Sequence, residues 1–394
     1  MAGLPKALAL CLVFVGVWFP AAAEQQAKPI VLGIDAEFGL KNSTSAQSIE
    51  RGVRTAVEEI NQAGGVLGRP LAVAIKDNRS LPARGIDNIK DFAADPDVVA
   101  VFGGRFSPVV FEEAPVAQQT GMILLDPWAS ADGIIDDTLK PNWVFRLSLR
   151  DEYAMPTMMS YARDRGLRRV GLLLANTAWG RSNLASAERH LAGSPDMAIV
   201  GRAWFNWGEQ SLLPQYRQLL AAGAQAVVFV TNDVEGALLI REIAGLPPDE
   251  RRPVIFHWGI TGGTFVEQAG DALRTVDHAV VQTFSFLSAR PDRVKKVLAT
   301  TSRLFGLSTA EQVEAPVGFA HAYDLTHILA KAIALAGTAE RGAVRDALER
   351  VTNHDGLVRT YARPFAPGHH EALPREQVFM ARYRSDGVLA PVGR

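Results

Sequence analysis

Cysteine is nearly absent: Cys11 is the single one among 394 residues. It falls in a leader that the reading below removes, which excludes disulfides, a thiolate nucleophile and Cys-based zinc sites. Runs of one charge are missing too. The chain has 41 Lys and Arg against 42 Asp and Glu, without a basic cluster, so nucleic acid and anionic membrane surfaces are poor partners. No G-x-G-x-x-G follows the first strand-like run, and no glycine loop carries a phosphate-binding lysine. No G-x-S-x-G elbow marks a hydrolase serine. The eight histidines are scattered. His321 and His327 are six apart on a helical pattern, off the i, i+4 spacing of a zinc pair, and His369-His370 reads as a surface pair. The acidic pair Glu112-Glu113 reads as solvated. Neither metal nor cofactor is expected, and nothing points to an enzyme. Low-complexity segments and solenoid-period repeats are absent as well.

The first 23 residues stand apart. Lys6 precedes the apolar run ALALCLVFVGVWF, and PAAA precedes Glu24. A basic start, an apolar stretch of 13 residues and a small-residue cleavage site read as a secretory signal over 1–23. The run is short for a membrane span, which needs about 20 residues. Export to a bacterial periplasm is the expectation.

The remainder alternates short apolar runs with helical patterns. PIVLGID, LAVAIKD, VVAVFGG and MILLD read as strands, separated by helices. The first of these has Val53, Ala56, Val57 and Ile60 on one face. A second series starts at WVFRLSL and runs through RVGLLLA, MAIVGRAWF, AVVFVT and PVIFHW. After VDHAVVQTFSF the chain turns mainly helical. Continuous apolar strands alternating with helices predict α/β architecture, with two doubly wound parallel-sheet lobes and a ligand crevice at the strands' carboxyl ends.

Every polar loop of interest follows a strand. Ser107, just before a helix, reads as an N-cap or as a hydroxyl facing an anion, and Ser130 in DPWAS reads similarly. Trp128, Trp179 and Trp258 each end a strand, where complete burial is not expected, and three such rings in corresponding loops suggest a stacking pocket.

AVEEINQAGGVLGRPLAVAIKDNRSLPARG resembles the early signature of the leucine/isoleucine/valine-binding proteins, the type I periplasmic solute-binding proteins of ABC importers. The likeness continues through VVAVFGGRFSPVVFEEAPVAQQTGMILLDPWASADG, RVGLLLANTAWGRSN and AGAQAVVFVTNDVEGALLIREI, and so covers the chain after the leader. It implies two lobes joined by three crossovers, near 146–150, 278–288 and 355–366. One lobe would comprise 24–147 with 283–355, the other 148–282 with 356–394. It further implies a monomer that closes on a small molecule and serves ABC permease subunits. The family's carboxylate-holding positions carry over to Ser107, Ala129 and Ser130, and further contacts to Trp179 and Asn232.

The chain also departs from the family pattern. Amino-acid binders place a carboxylate after the next strand, where this chain has Trp258 in the acid-free stretch FHWGITGG. Asp233, in a neighbouring loop, is the acid that could compensate. Arg105 replaces a small polar residue and is expected to face an anionic ligand or to lie on the rim. A buried ammonium without a counter-charge is costly, so the expected ligand is an aromatic or apolar carboxylate, or an uncharged polar compound, rather than an α-amino acid. A sensor presenting its ligand to a membrane receptor remains the alternative role, and an exported enzyme on the same two lobes a more distant one.

Overall fold

The computed structural model describes Met1, Gly3, residues 27–41 and residues 43–392. The expected leader lies almost wholly outside the described residues. Two sheets organise the rest. The first has strand order β2-β1-β3-β4-β5, built from β1 (Ile30–Ala36), β2 (Leu71–Asp77), β3 (Val98–Phe102), β4 (Ile123–Asp126) and β5 (Val144–Arg146). All its pairings are parallel. β3 and β4 are buried along their whole length, whereas β2 at the edge is half-exposed. This is the pattern of a parallel sheet covered on both faces.

The second sheet takes β6 (Arg169–Ala175), β7 (Ala198–Phe205), β8 (Ala226–Val230), β9 (Val254–Phe256) and β10 (His278–Gln282) in parallel. After a small hairpin of β11 (His354–Asp355) and β12 (Thr360–Tyr361), the strands β13 (Phe379–Tyr383) and β14 (Leu389–Pro391) extend it in antiparallel fashion, giving the order β14-β13-β10-β9-β8-β6-β7. The two sheets match the α/β two-lobe arrangement expected from the alternation.

Helix Thr44–Gln62 turns Val53, Ala56 and Val57 inward and packs along the long helix Pro316–Ala336. Gly52 permits that approach, because a Cβ there would strike the Phe319 carbonyl.

The chain passes between the sheets after β5 and after β10. The third passage falls beyond the expected 355–366. Arg146 on β5 makes two hydrogen bonds to Glu371, at 2.8 and 2.6 Å, with both side chains buried. The Arg146 N–H also donates to the His370 carbonyl at 2.8 Å, and the His370 ring stacks on Phe145 at 3.9 Å. Residues 370–371 are therefore fastened to the first sheet, and the chain enters the second only at Phe379. His370, expected at the surface, is buried; only its neighbour His369 is exposed.

Candidate functional site

The carboxyl ends of both sheets face each other, and the loops that leave them meet in one place. On the first-lobe side, β4 runs into Asp126, whose Oδ1 accepts the N–H groups of Trp128 at 3.0 Å and Ala129 at 2.7 Å. That folds the loop tightly and turns the Trp128 ring toward the opposite lobe. Burial pushes the Asp126 carboxyl up to about 7, against the pull of the Arg146 charge and the two N–H groups. Arg146 in turn donates to the carbonyls of Ala129 at 3.3 Å and Ala131 at 2.9 Å.

Ser107 is not an N-cap. Its Oγ accepts the N–H groups of Ser130 at 3.1 Å and Ala131 at 3.3 Å, tying two loops together. A hydroxyl has two acceptor lone pairs and one proton. With both lone pairs engaged, the Ser107 proton is left for an acceptor in the cleft. The Ala129 and Ser130 N–H groups, carried over as anion donors, are here engaged within the lobe.

On the second-lobe side, FHWGITGG gets its conformation from His257. Its Nδ1 accepts the Trp258 N–H at 3.0 Å, so its proton sits on Nε2, which donates to Asp151 Oδ1 at 3.0 Å. Asp151 also accepts from Trp179 Nε1 at 3.3 Å. The histidine thus orients two tryptophans rather than a metal. Trp258 does not end a strand but opens the 3-10 turn Trp258–Gly262. Its ring lies 5.8 Å from that of Trp128, centroid to centroid, and 5.9 Å from His321. Both tryptophans are 1% exposed, against the expectation of incomplete burial. Each covers the other across the cleft.

Arg105 lies neither on the rim nor free to meet an anion. It is buried, and its Nη1 donates to Asp233 Oδ1 of the other lobe at 3.0 Å and to the Gly259 carbonyl at 3.4 Å. Glu37 Oε1 stands 3.9 Å from its Nε and also accepts from the Ser43 and Ser45 hydroxyls. The guanidinium lies over Phe106, 4.7 Å from the ring centre, and Phe106 meets the edge of Trp207 at 5.4 Å. The glycines of GITGG now have a reason. A Cβ on Gly262 would collide with Arg105, and one on Gly263 with Asp233. The loop is bare where the ion pair passes.

Arg105, Ser107, Trp128, Ser130, Trp179, Asn232 and Trp258 therefore surround a single space, with Ala129 buried behind it. Phe106, Pro108, Trp207 and Gly259 complete the wall and were not named as site residues from sequence. In this closed arrangement the enclosed volume is about 10 Å³, room for one water. The Trp128 Nε1–H is buried without an acceptor among the described residues. Beneath the first lobe's loops, Glu113 corrects a second reading. It is fully buried beside Asp35, and burial followed by the Asp35 charge holds its carboxyl well above the usual range. Among the described residues no group of three or more His, Asp or Glu stands close enough to hold a metal ion.

The periplasmic binding protein family model matches residues 39–387. The chain belongs to that family. Its members are binding proteins rather than enzymes. It is 27% identical over 253 residues to Leu/Ile/Val-binding protein homolog 1 of Brucella abortus, a match covering 63% of this chain and 65% of that protein. The chain thus spans just under two thirds of this relative's length. Among solved structures, a type 1 periplasmic binding protein from Bordetella pertussis superimposes with a TM-score of 0.83 at 21% identity, covering 93% of this chain and 100% of that one. A solute-binding protein of an R. palustris ABC transporter, in complex with 4-hydroxybenzoate, gives 0.78 at 14% identity, covering 93% and 96%. Both show the shared fold.

Proposed function

We propose that this protein is the periplasmic solute-binding component of an ABC importer, that it closes two lobes on a small ligand, and that the ligand is an aromatic or apolar carboxylate, or an uncharged polar compound, rather than an α-amino acid. The observation that carries the ligand class is the occupation of the cleft's acids. Asp233 is bound to Arg105, and Glu37 is satisfied by Ser43, Ser45 and the Arg105 backbone. No carboxylate among the cage residues is left for an ammonium group, and burying one unpaired costs several kcal/mol. What the cage offers instead is donors, the Ser107 hydroxyl and the Trp128 indole N–H, both among aromatic faces. That set suits a carboxylate or hydroxyl on a flat apolar body. The relatives' names span both classes, one for leucine, isoleucine and valine, the other a structure holding 4-hydroxybenzoate.

Because Trp128 and Trp258 belong to opposite lobes, they part when the lobes open, and the ligand replaces their mutual contact on closure. Closure follows only from contacts the ligand makes better in the closed form. Tryptophan fluorescence of the purified protein, titrated with benzoates, short-chain acids, amides, leucine and valine, tests this reading. Saturable binding of an aromatic acid, lost in Trp258→Ala, is the expected result. Tightest binding by leucine or valine, indifferent to that substitution, overturns the ligand class.

A further inference from the structure

Beside the tryptophan cage, on the far side of the turn Trp258–Gly262, lies a second space between the lobes. Its volume is about 360 Å³, in the range of small-ligand pockets. The first lobe contributes Thr44 and the segment 310–316 to its wall. The second lobe contributes Thr261, residues 263–267 and the β13–β14 turn. The two sides touch where the Thr44 hydroxyl donates to the Gly263 carbonyl at 3.5 Å. The space is complete only when the lobes are closed.

Its lining is one-sided in charge. Glu267, Glu311, Glu314 and Asp386 border it, and no lysine, arginine or histidine does. All four lie exposed at its mouth. Glu314 has Arg51 at 3.6 Å and Asp386 pairs with Arg384. Glu267 and Glu311 form no ion pair among the described residues. Deeper in, the walls are apolar and aromatic, with Phe265, Phe286 and Val313 buried. Tyr383 is 9% exposed and lines the space, and its hydroxyl has no hydrogen-bonding partner among the described residues. A hydroxyl left unpaired on a mostly buried side chain is free to pair with a molecule in the chamber.

We propose that this chamber binds a small organic cation, an amine whose apolar body stacks among Phe265, Phe286 and Tyr383 while its charge faces Glu267 and Glu311. The bound amine favours the closed lobes, since the chamber draws its walls from both. The assignment does not depend on which ligand the tryptophan cage takes.

Calorimetric titration of the purified protein with phenethylamine, and with 3-phenylpropionate and 2-phenylethanol as anionic and neutral counterparts, tests it. Saturable binding of the amine is expected, with both counterparts markedly weaker. The double substitution Glu267→Gln/Glu311→Gln should weaken the amine about five-fold, as expected of two exposed charges. Tyr383→Phe should weaken it as well, while thermal unfolding of either variant stays unchanged. Equal binding of the three compounds, no saturable binding of the amine, or indifference to both variants overturns the proposal. The cage titration is read separately. If the aromatic acid binds and the amine does not, only this proposal falls; if the amine binds with these variant effects and the acid does not, only the cage reading falls.

Discussion

The tryptophan cage and the chamber beside it share one wall, the turn Trp258–Gly262, and differ in almost everything else. The cage holds about 10 Å³ and the chamber about 360 Å³. The cage is bounded by loop tryptophans whose rings reach one another across the cleft, so without a ligand they fill the space themselves. The chamber is bounded by hydroxyls and exposed carboxylates at its mouth and by Phe265, Phe286 and Tyr383 deeper in, rings that do not meet across it. It stays open because its polar wall can be wetted. Facing rings that reach one another therefore build a pocket that collapses when empty, and rings set apart behind a polar mouth build one that does not. What both have in common is dependence on closure, and closure has a visible fastening in Arg105–Asp233.

The sharpest way to break the comparison is to remove that fastening. Arg105→Ala leaves Asp233 buried without its partner in the closed form, a penalty of about 3–5 kcal/mol for a buried pair cut on one side. Opening the lobes returns Asp233 to water and relieves it. Small-angle scattering should show a larger radius of gyration for the variant than for the wild type. Cage and chamber should be lost together, because both need the two lobes in contact. An unchanged radius would mean that the other interlobe contacts, among them Trp128 against Trp258, Phe106 against Trp207 and Asp132 with Arg189, hold the closed form without it.

The fold was readable because its signals are local. Each strand of the two parallel series is a short apolar run, and each covering helix shows its own periodic face. The site was readable as far as loop position carries. The ends of strands in a doubly wound sheet converge, so seven of the eight residues named from sequence line one space. What sequence could not supply is pairing over distance. Arg105 and Asp233 are 128 residues apart, and nothing near either one announces the other. The same holds for Arg146 with Glu371, which delays the third crossover. The burial of Trp128 and Trp258 also comes from the opposite lobe. Glu113 is different, because a signal was present: it shares a helical face with Val110 and Ala117, both buried. The residue type was given more weight than the period.

A smaller effect sharpens the contrast by acting on the cage's floor alone. Asp126 holds the Trp128 and Ala129 N–H groups, and burial raises its carboxyl from 3.8 to about 7. Glu113 is raised as well, by burial and then by Asp35. A carboxyl whose folded pKa lies above its unfolded value contributes stability that is complete below the unfolded pKa. That contribution is lost as pH rises through the folded pKa. Asp126 should therefore contribute more to stability near pH 5 than near pH 8, a few degrees in Tm (about 2–4 °C per kcal/mol at this size), while His321 in the same lobe, lowered to about 4 by burial, works the other way. Asp126→Asn keeps the Oδ1 acceptor and removes this one titration, leaving those of Glu113 and of Asp324, also raised to about 7, so the Tm of the wild type relative to the variant should fall from pH 5 to pH 8. The chamber's carboxylates are exposed and should add little to it. A wild-type Tm that rises relative to the variant's from pH 5 to pH 8 would contradict the assignment.

The smallest effect asks whether the first lobe's loops are prepared before a ligand arrives. Ser107 Oγ accepts two backbone N–H groups from the neighbouring loop, and a neutral hydrogen bond contributes about 1 kcal/mol net. Ser107→Ala deletes both bonds and the free hydroxyl proton in one step. If that hydroxyl serves only to join the loops, unfolding should lose about 2 kcal/mol, about 1 for each bond, and the affinity of an aromatic carboxylate should fall no further than loosening of Ser130 and Ala131 explains. If it also donates to the ligand, affinity should fall more than stability. Ser107→Thr, which keeps the hydroxyl, should restore binding together with the loop contact. The carboxylate and its isosteric amide separate the two cases. A donor to an anion discriminates between them, a charge-assisted bond being about twice as strong as a neutral one, whereas a loop tie weakens both alike. Amine binding in the chamber should not respond, since its wall holds neither loop.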